Sequence, residues 1–214
     1  MCFWIRIKYY QPLIKNIFLF FLFPVLFHAQ DSQSKKFSQL SAPEKRWAII
    51  HPFCAVKIKK LSAGALLIVN EVAKNNLLDK FENGGKQDAF RHVFTMAFLA
   101  QKIKIKKLRK LGIAHEKGNY LQFKKGILEN AEPADSLSCE MDLRNNEIGF
   151  LIGKENKNIS SDSLKKIILN KIENKFCWTM LRNEKGNYLT CEGKEIILAE
   201  WKGKWCVPKC LKKD

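Results

Sequence analysis

Apolar positions recur at helical spacing along most of the chain, and the elements they predict set the fold class. Ser41-Ala-Pro-Glu44 is a capping box with proline inside the first turn, so a helix is expected to begin there. Trp47, Ile50 and His51 follow with helical spacing, and Pro52 breaks or restarts the helix. From Cys54 to Leu78 the positions Val56, Ile58, Leu61, Ala65, Ile68, Val69, Val72 and Ala73 share one broad apolar stripe. Asn83-Gly84-Gly85 is a turn signal; the helix beside it carries Asp88, Phe90, His92 and the apolar run from Phe94 to Leu99. The basic stretch Gln101–Lys110 continues or re-enters helix, with an end expected around Gly112 to Gly118. Pro133 marks a loop, a helix is predicted from Ser136 to Lys154, and Ser161 or Asp162 caps another through Ile168 and Ile172.

The tail changes character. Phe176-Cys-Trp-Thr-Met-Leu, Asn187-Tyr-Leu-Thr and Glu195-Ile-Ile-Leu-Ala-Glu-Trp are rich in β-formers, with Lys185-Gly186 and Glu192-Gly193 as turns between them. The expectation is a mainly α protein: a compact helical domain over 41–175 and a small Cys-rich appendage over 176–214 folded as an antiparallel β-hairpin or meander. There is no internal repeat, Gly-rich phosphate loop or Gly-x-Ser-x-Gly elbow.

The first 30 residues read as an export signal. Arg6, Lys8 and Lys15 form a positive n-region, and the apolar run from Ile17 to Phe27 has signal-peptide length, with Pro24 inside it. His28-Ala29-Gln30 suits cleavage, and the rival reading is an uncleaved anchor. Cys2 precedes the apolar core and cannot be a lipobox cysteine. Localisation is therefore expected to be periplasmic or extracellular. Beyond this segment lie Cys54, Cys139, Cys177, Cys191, Cys206 and Cys210, an even number that permits disulfides. No Cys-x-x-Cys pair suggests a zinc ribbon.

A formal net charge of +17 favours acidic partners, whether an acidic substrate or an anionic surface. The excess is spread along the chain, with a concentration at Lys102, Lys104, Lys106, Lys107, Arg109 and Lys110. Lysine without interleaved aromatic residues does not favour nucleic acid, and its ordinary reading is a solvated face.

Three polar clusters carry the candidate chemistry. Asp88 and His92 are four residues apart and share a helix face, where they can bind a metal together or work as an oriented acid–base pair. The ordinary reading of Asp88 is a carboxylate favoured by a helix N-terminus. His115-Glu116 occupies adjacent helical positions about 100° apart, so one of the two is expected to join a common site. Its ordinary reading is a surface helix end. Asp142, Asn145, Asn146 and Gly149 form one stripe that leads into Gly149 and Gly153, which permit close helix contact. Such a stripe fits a site between packed helices as well as a solvated face.

Together the Asp-Ala-Phe-Arg-His, His-Glu and Met-Asp-x-x-Asn-Asn-x-x-Gly motifs resemble the DUF6973-type domain family, whose function is uncharacterised. The chain resembles exported members from Bacteroidetes-like bacteria, and related domains resemble C-terminal modules of polymorphic toxins. The resemblance spans roughly residues 41–155, and Trp201-Lys-Gly-Lys-Trp-Cys206 is similar to the exported members. Val93-Phe94-Thr95 departs from it, because many members carry an aromatic pair ending in tryptophan. The resemblance implies no reaction.

The residues themselves suggest an exported hydrolase, metal-dependent or acid–base. Asp88, His92, His115 and Asp142 are its candidate ligands, and Glu116, Asn145 and Asn146 position water or substrate. Mixed nitrogen and oxygen ligands suit Zn²⁺ or a similar divalent metal better than Ca²⁺. The alternatives are a non-catalytic secreted binding module, with the polar set as a structural hydrogen-bond network, and a toxin-like effector of the envelope or nucleic acid.

Overall fold

The computed structural model describes residues 37–128 and 132–213. The expected export signal lies outside the described residues. Helix α1 (Ala42–Ile50) opens on a complete capping box: the Glu44 N–H donates to Ser41 Oγ at 3.4 Å and the Ser41 N–H to Glu44 Oε2 at 2.8 Å. His51 closes α1, and Pro52 starts α2 (Pro52–Lys74). Only Ile58, Ala65, Val69 and Val72 of α2 are buried, and Val56 is exposed, so the expected broad stripe narrows to a seam.

Helix α3 (Lys86–Ala100) is the centre of the fold and packs against α2 and against the three helices that follow it. Ala89, Phe90, Val93, Phe94 and Ala97 disappear from solvent along its length and join Val72, Ile152, Leu164 and Ile168 in one core. α4 (Ile105–Lys124) runs straight through the expected stop at Gly112 to Gly118. Those glycines serve packing instead: a Cβ at Gly118 would collide with Ser41, and one at Gly112 would press on the Asn146 amide at 3.1 Å.

α5 (Ser136–Glu155) crosses α3 at backbone contact. A Cβ at Gly149 would lie 2.5 Å from the Val93 carbonyl oxygen, and one at Gly153 would fall on the Ala97 carbonyl. Any larger residue must push the helices apart, in a core already at solid-like density. Asp135 caps α5, and Ser160 caps α6 (Ser161–Glu173).

The tail is antiparallel, and its pairing differs from a simple run of consecutive hairpins. β1 (Trp178–Met180) pairs with β2 (Leu211–Lys213), at the two ends of the segment. Between them lie single bridges at Arg182–Tyr188 and Leu189–Glu195, and the apolar run beginning at Glu195 turns into a short 3-10 helix, Leu198–Trp201. A Cys191–Cys210 disulfide staples this loop-rich piece, whereas Cys54, Cys139 and Cys177 are free. Met180, Tyr188, Ile196 and Val207 form a small core with Met141 of α5. Lys209 and Asp135 make a buried ion pair at 2.6 Å. Ser34–Asp214 is one compact unit, and no described helix is long and apolar enough to cross a membrane.

Candidate functional site

Asp88 and His92 sit one turn apart on α3, near its start. Gly85 has no side chain to cap that helix, and Asp79 takes over by accepting from Lys86 N–H at 2.6 Å and Gln87 N–H at 3.1 Å. Asp88 in turn accepts from Gly84 N–H at 2.7 Å and from Arg91 Nη2 at 2.6 Å. Gly84 holds a φ of +71°, a conformation that favours glycine, and its carbonyl accepts from Met180 N–H of the tail at 2.7 Å. Part of Asp88 therefore serves the helix terminus. The same oxygen that meets Arg91 also faces His92 Nε2 at 3.5 Å.

The α3–α5 seam brings the second half of the set. Asp142 Oδ1 lies 3.2 Å from His92 Nε2, and Asn146 Oδ1 lies 3.3 Å from His92 Nδ1. With that amide orientation Nδ1–H is the donor, so the Nε2 lone pair points at two carboxylates. Burial lowers the His92 pKa to about 4; the Asp88 charge works against this, and Arg91 and His115 reinforce it. At neutral pH the imidazole is uncharged. Three acceptors then converge, with the Arg91 guanidinium beside them: its Nη2 lies 2.6 Å from Asp88 Oδ1 and 3.5 Å from His92 Nε2.

The geometry suits a cation. One donor atom each from Asp88, His92 and Asp142 lies within 4.8 Å of the others. Ligands about 2.1 Å from a common ion stand about 3.0–3.4 Å apart in octahedral or tetrahedral arrangement, close to the 3.2 and 3.5 Å found around Nε2. A cleft of about 20 Å³ reaches Asp88 and Asp142, with Arg91, Asn119, Ser138 and Cys139 also in its walls. That is roughly the room needed for one water.

The other predicted residues divide. Glu116 is buried, accepts from Asn119 Nδ2 at 3.1 Å and bonds the Cys139 thiol beside Asp142. Burial, followed by the Glu116 and Asp142 charges, raises the Cys139 pKa far above its ordinary value, so the thiol stays protonated. His115 turns the other way and meets Glu44 Oε1 at 2.9 Å, outside the Asp88–His92–Asp142 group. Burial tends to raise the Glu44 pKa, but hydrogen bonds from His115 and Ser41 outweigh it and hold the carboxyl at about 2. Asn145 is committed to the tail: its Nδ2 donates to the Trp178 carbonyl at 2.9 Å and its Oδ1 accepts from Trp178 N–H at 3.0 Å. Asn145 and Asn146 are adjacent on one helix, so they diverge by about 100° and serve different neighbours.

Cys139 and Asn119 escaped the sequence reading as site residues. Both stood at legible spacing: Cys139 is three residues before Asp142, and Asn119 three after Glu116. Asp79, the remote cap of α3, carried no local signal.

A family model described as a domain of unknown function, DUF6973, matches residues 45–176. The chain belongs to the DUF6973 family. The match contains Asp88, His92, Glu116, Asp142 and Asn146, and ends where the tail begins. No curated protein and no solved structure matches the chain.

Proposed function

We propose that this DUF6973 protein is an exported metal-dependent hydrolase centred on His92. The single observation that carries the reading is the convergence of Asp88, His92 Nε2 and Asp142 on one point at the edge of a small polar cleft. Three protein ligands of mixed nitrogen and oxygen type leave coordination positions for water, the pattern of catalytic rather than structural sites. Asp88, His92 and Asp142 would hold a divalent ion there, and such an ion would supply an activated water as nucleophile. Asn146 fixes the imidazole tautomer that leaves Nε2 free to coordinate, the role of an outer-shell partner. Glu116 bonds the Cys139 thiol and so orders the cleft wall beside Asp142. The Cys191–Cys210 disulfide supports export to an oxidising compartment.

A second reading has its own support. Asp88 already satisfies Gly84 N–H and Arg91, so the cluster also works as a hydrogen-bond network that fixes helix register. Calorimetric titration of metal-stripped protein with Zn²⁺ and Mn²⁺ separates the two. The hydrolase reading predicts one ion bound per chain, hydrolysis of simple ester or phosphoester substrates that chelation abolishes, and a loss of about 100-fold in affinity, about 2.7 kcal/mol, for folded His92→Ala. Absence of stoichiometric binding in the wild-type protein overturns it and leaves the network.

A further inference from the structure

The corner between α1 and α2 presents large apolar side chains to solvent. Ile49 is 68% exposed, Ile50 61%, Phe53 92% and Val56 60%. Singly exposed apolar residues are ordinary, but four within eight positions form a patch. The corner is not loosely attached. Its inward residues Trp47, Ala48 and Ile58 are buried in a core with Leu99, Ile103 and Leu108. The outward residues are thus what remains after the corner has met its packing needs.

The charges around this patch have one sign. Arg46, Lys57, Lys59 and Lys60 are exposed beside it, and no acidic residue occurs from Lys45 to Asn70. Lys57 Nζ donates to the Lys102 carbonyl at 3.2 Å, which brings the connection between α3 and α4, with exposed Lys102 and Lys104, against the same corner. That connection and the first half of α4 are also free of acid, from Ala100 to His115. A second copy of the chain would bring like charge to like charge. Nucleic acid would find one ring to stack on, Phe53, while Ile49, Ile50 and Val56 would stay exposed to water. An anionic bilayer satisfies both parts: apolar side chains enter the boundary between headgroups and acyl chains, and lysines remain at the level of the lipid phosphates.

We infer that the α1–α2 corner docks on anionic lipid membranes, with Ile49, Ile50, Phe53 and Val56 inserting and Lys57, Lys60 and Lys102 meeting the headgroups. The test is co-sedimentation of the full-length protein with phosphatidylglycerol-containing vesicles and with pure phosphatidylcholine vesicles. Binding is expected to the anionic vesicles, to weaken with salt, and to fall at least about tenfold in the double variant Phe53→Ser, Val56→Ser. Both side chains are exposed, so the variant's unfolding transition should match the wild type. The inference is overturned by a lack of binding to anionic vesicles or by binding that the double variant retains. It also fails if the corner supports only a concentration-dependent dimer that the double variant abolishes.

Discussion

His92 faces Asp88 and Asp142 at 3.5 and 3.2 Å, whereas His115 faces Glu44 at 2.9 Å. The residue types are the same, the helices are neighbours, and the electrostatics are opposite. The His115 side chain is 30% exposed, and its carboxylate partner is also hydrogen-bonded by Ser41. That pair is complete: it ties α1 to α4, and the ionised form of Glu44 is favoured. The His92 side chain is 11% exposed, and its protonated form is disfavoured by burial. There the carboxylates face a lone pair. The His115 pair is satisfied within the protein, whereas on the proposed reading a cation would join the His92 cluster.

The largest predicted effect breaks one side of this contrast while sparing the other. Gly153→Val forces a branched side chain onto the Ala97 backbone and is expected to cost about 3 kcal/mol in denaturant unfolding. It opens the seam that presses Asp142 and Asn146 against His92. If the variant stays folded, metal binding is lost, while the NMR titration of His115 is unchanged because the α1–α4 seam is elsewhere.

Glu44→Gln acts on the other pair. A carboxyl lowered from 4.5 to about 2 contributes stability that is present above pH 4.5 and is lost as pH falls toward 2. After allowance for solvent screening, the variant should lose about 1–2 kcal/mol at pH 7. Its stability should then change less than the wild type's between those pH values. Thermal unfolding across that range checks both expectations, and metal affinity should be unaffected.

How much of this was legible in the chain follows from the range of each interaction. The capping box at Ser41 and Glu44 announced α1 because it is completed within four residues. That Glu44 also grips His115, 71 residues away, had no local trace. The stripe from Asp142 through Asn146 to Gly149 and Gly153 was readable because helical period places those residues on one face. Asn145 joined the same stripe in sequence, and a neighbouring strand claimed it in the fold. Gly112 and Gly118 read as a stop because glycine is a poor helix former, and the packing that uses them depends on Ser41 and Asn146. In the tail, β2 is Leu-Lys-Lys, which carries little β signal; its pairing with β1 is a long-range contact next to the Cys191–Cys210 staple.

The central claim is that the His92 cluster is built for a cation, and Asp142→Asn tests it most directly. The substitution removes one of two carboxylates that face the imidazole lone pair and keeps the shape. The account predicts that the metal-stripped variant is at least as stable as metal-stripped wild type, by up to about 1 kcal/mol. Over the same comparison, its Zn²⁺ affinity falls by about 100-fold. A metal-stripped variant destabilised by about 2 kcal/mol or more, with wild-type protein that binds no ion, would show that Asp142 is a structural hydrogen-bond partner and contradict the account.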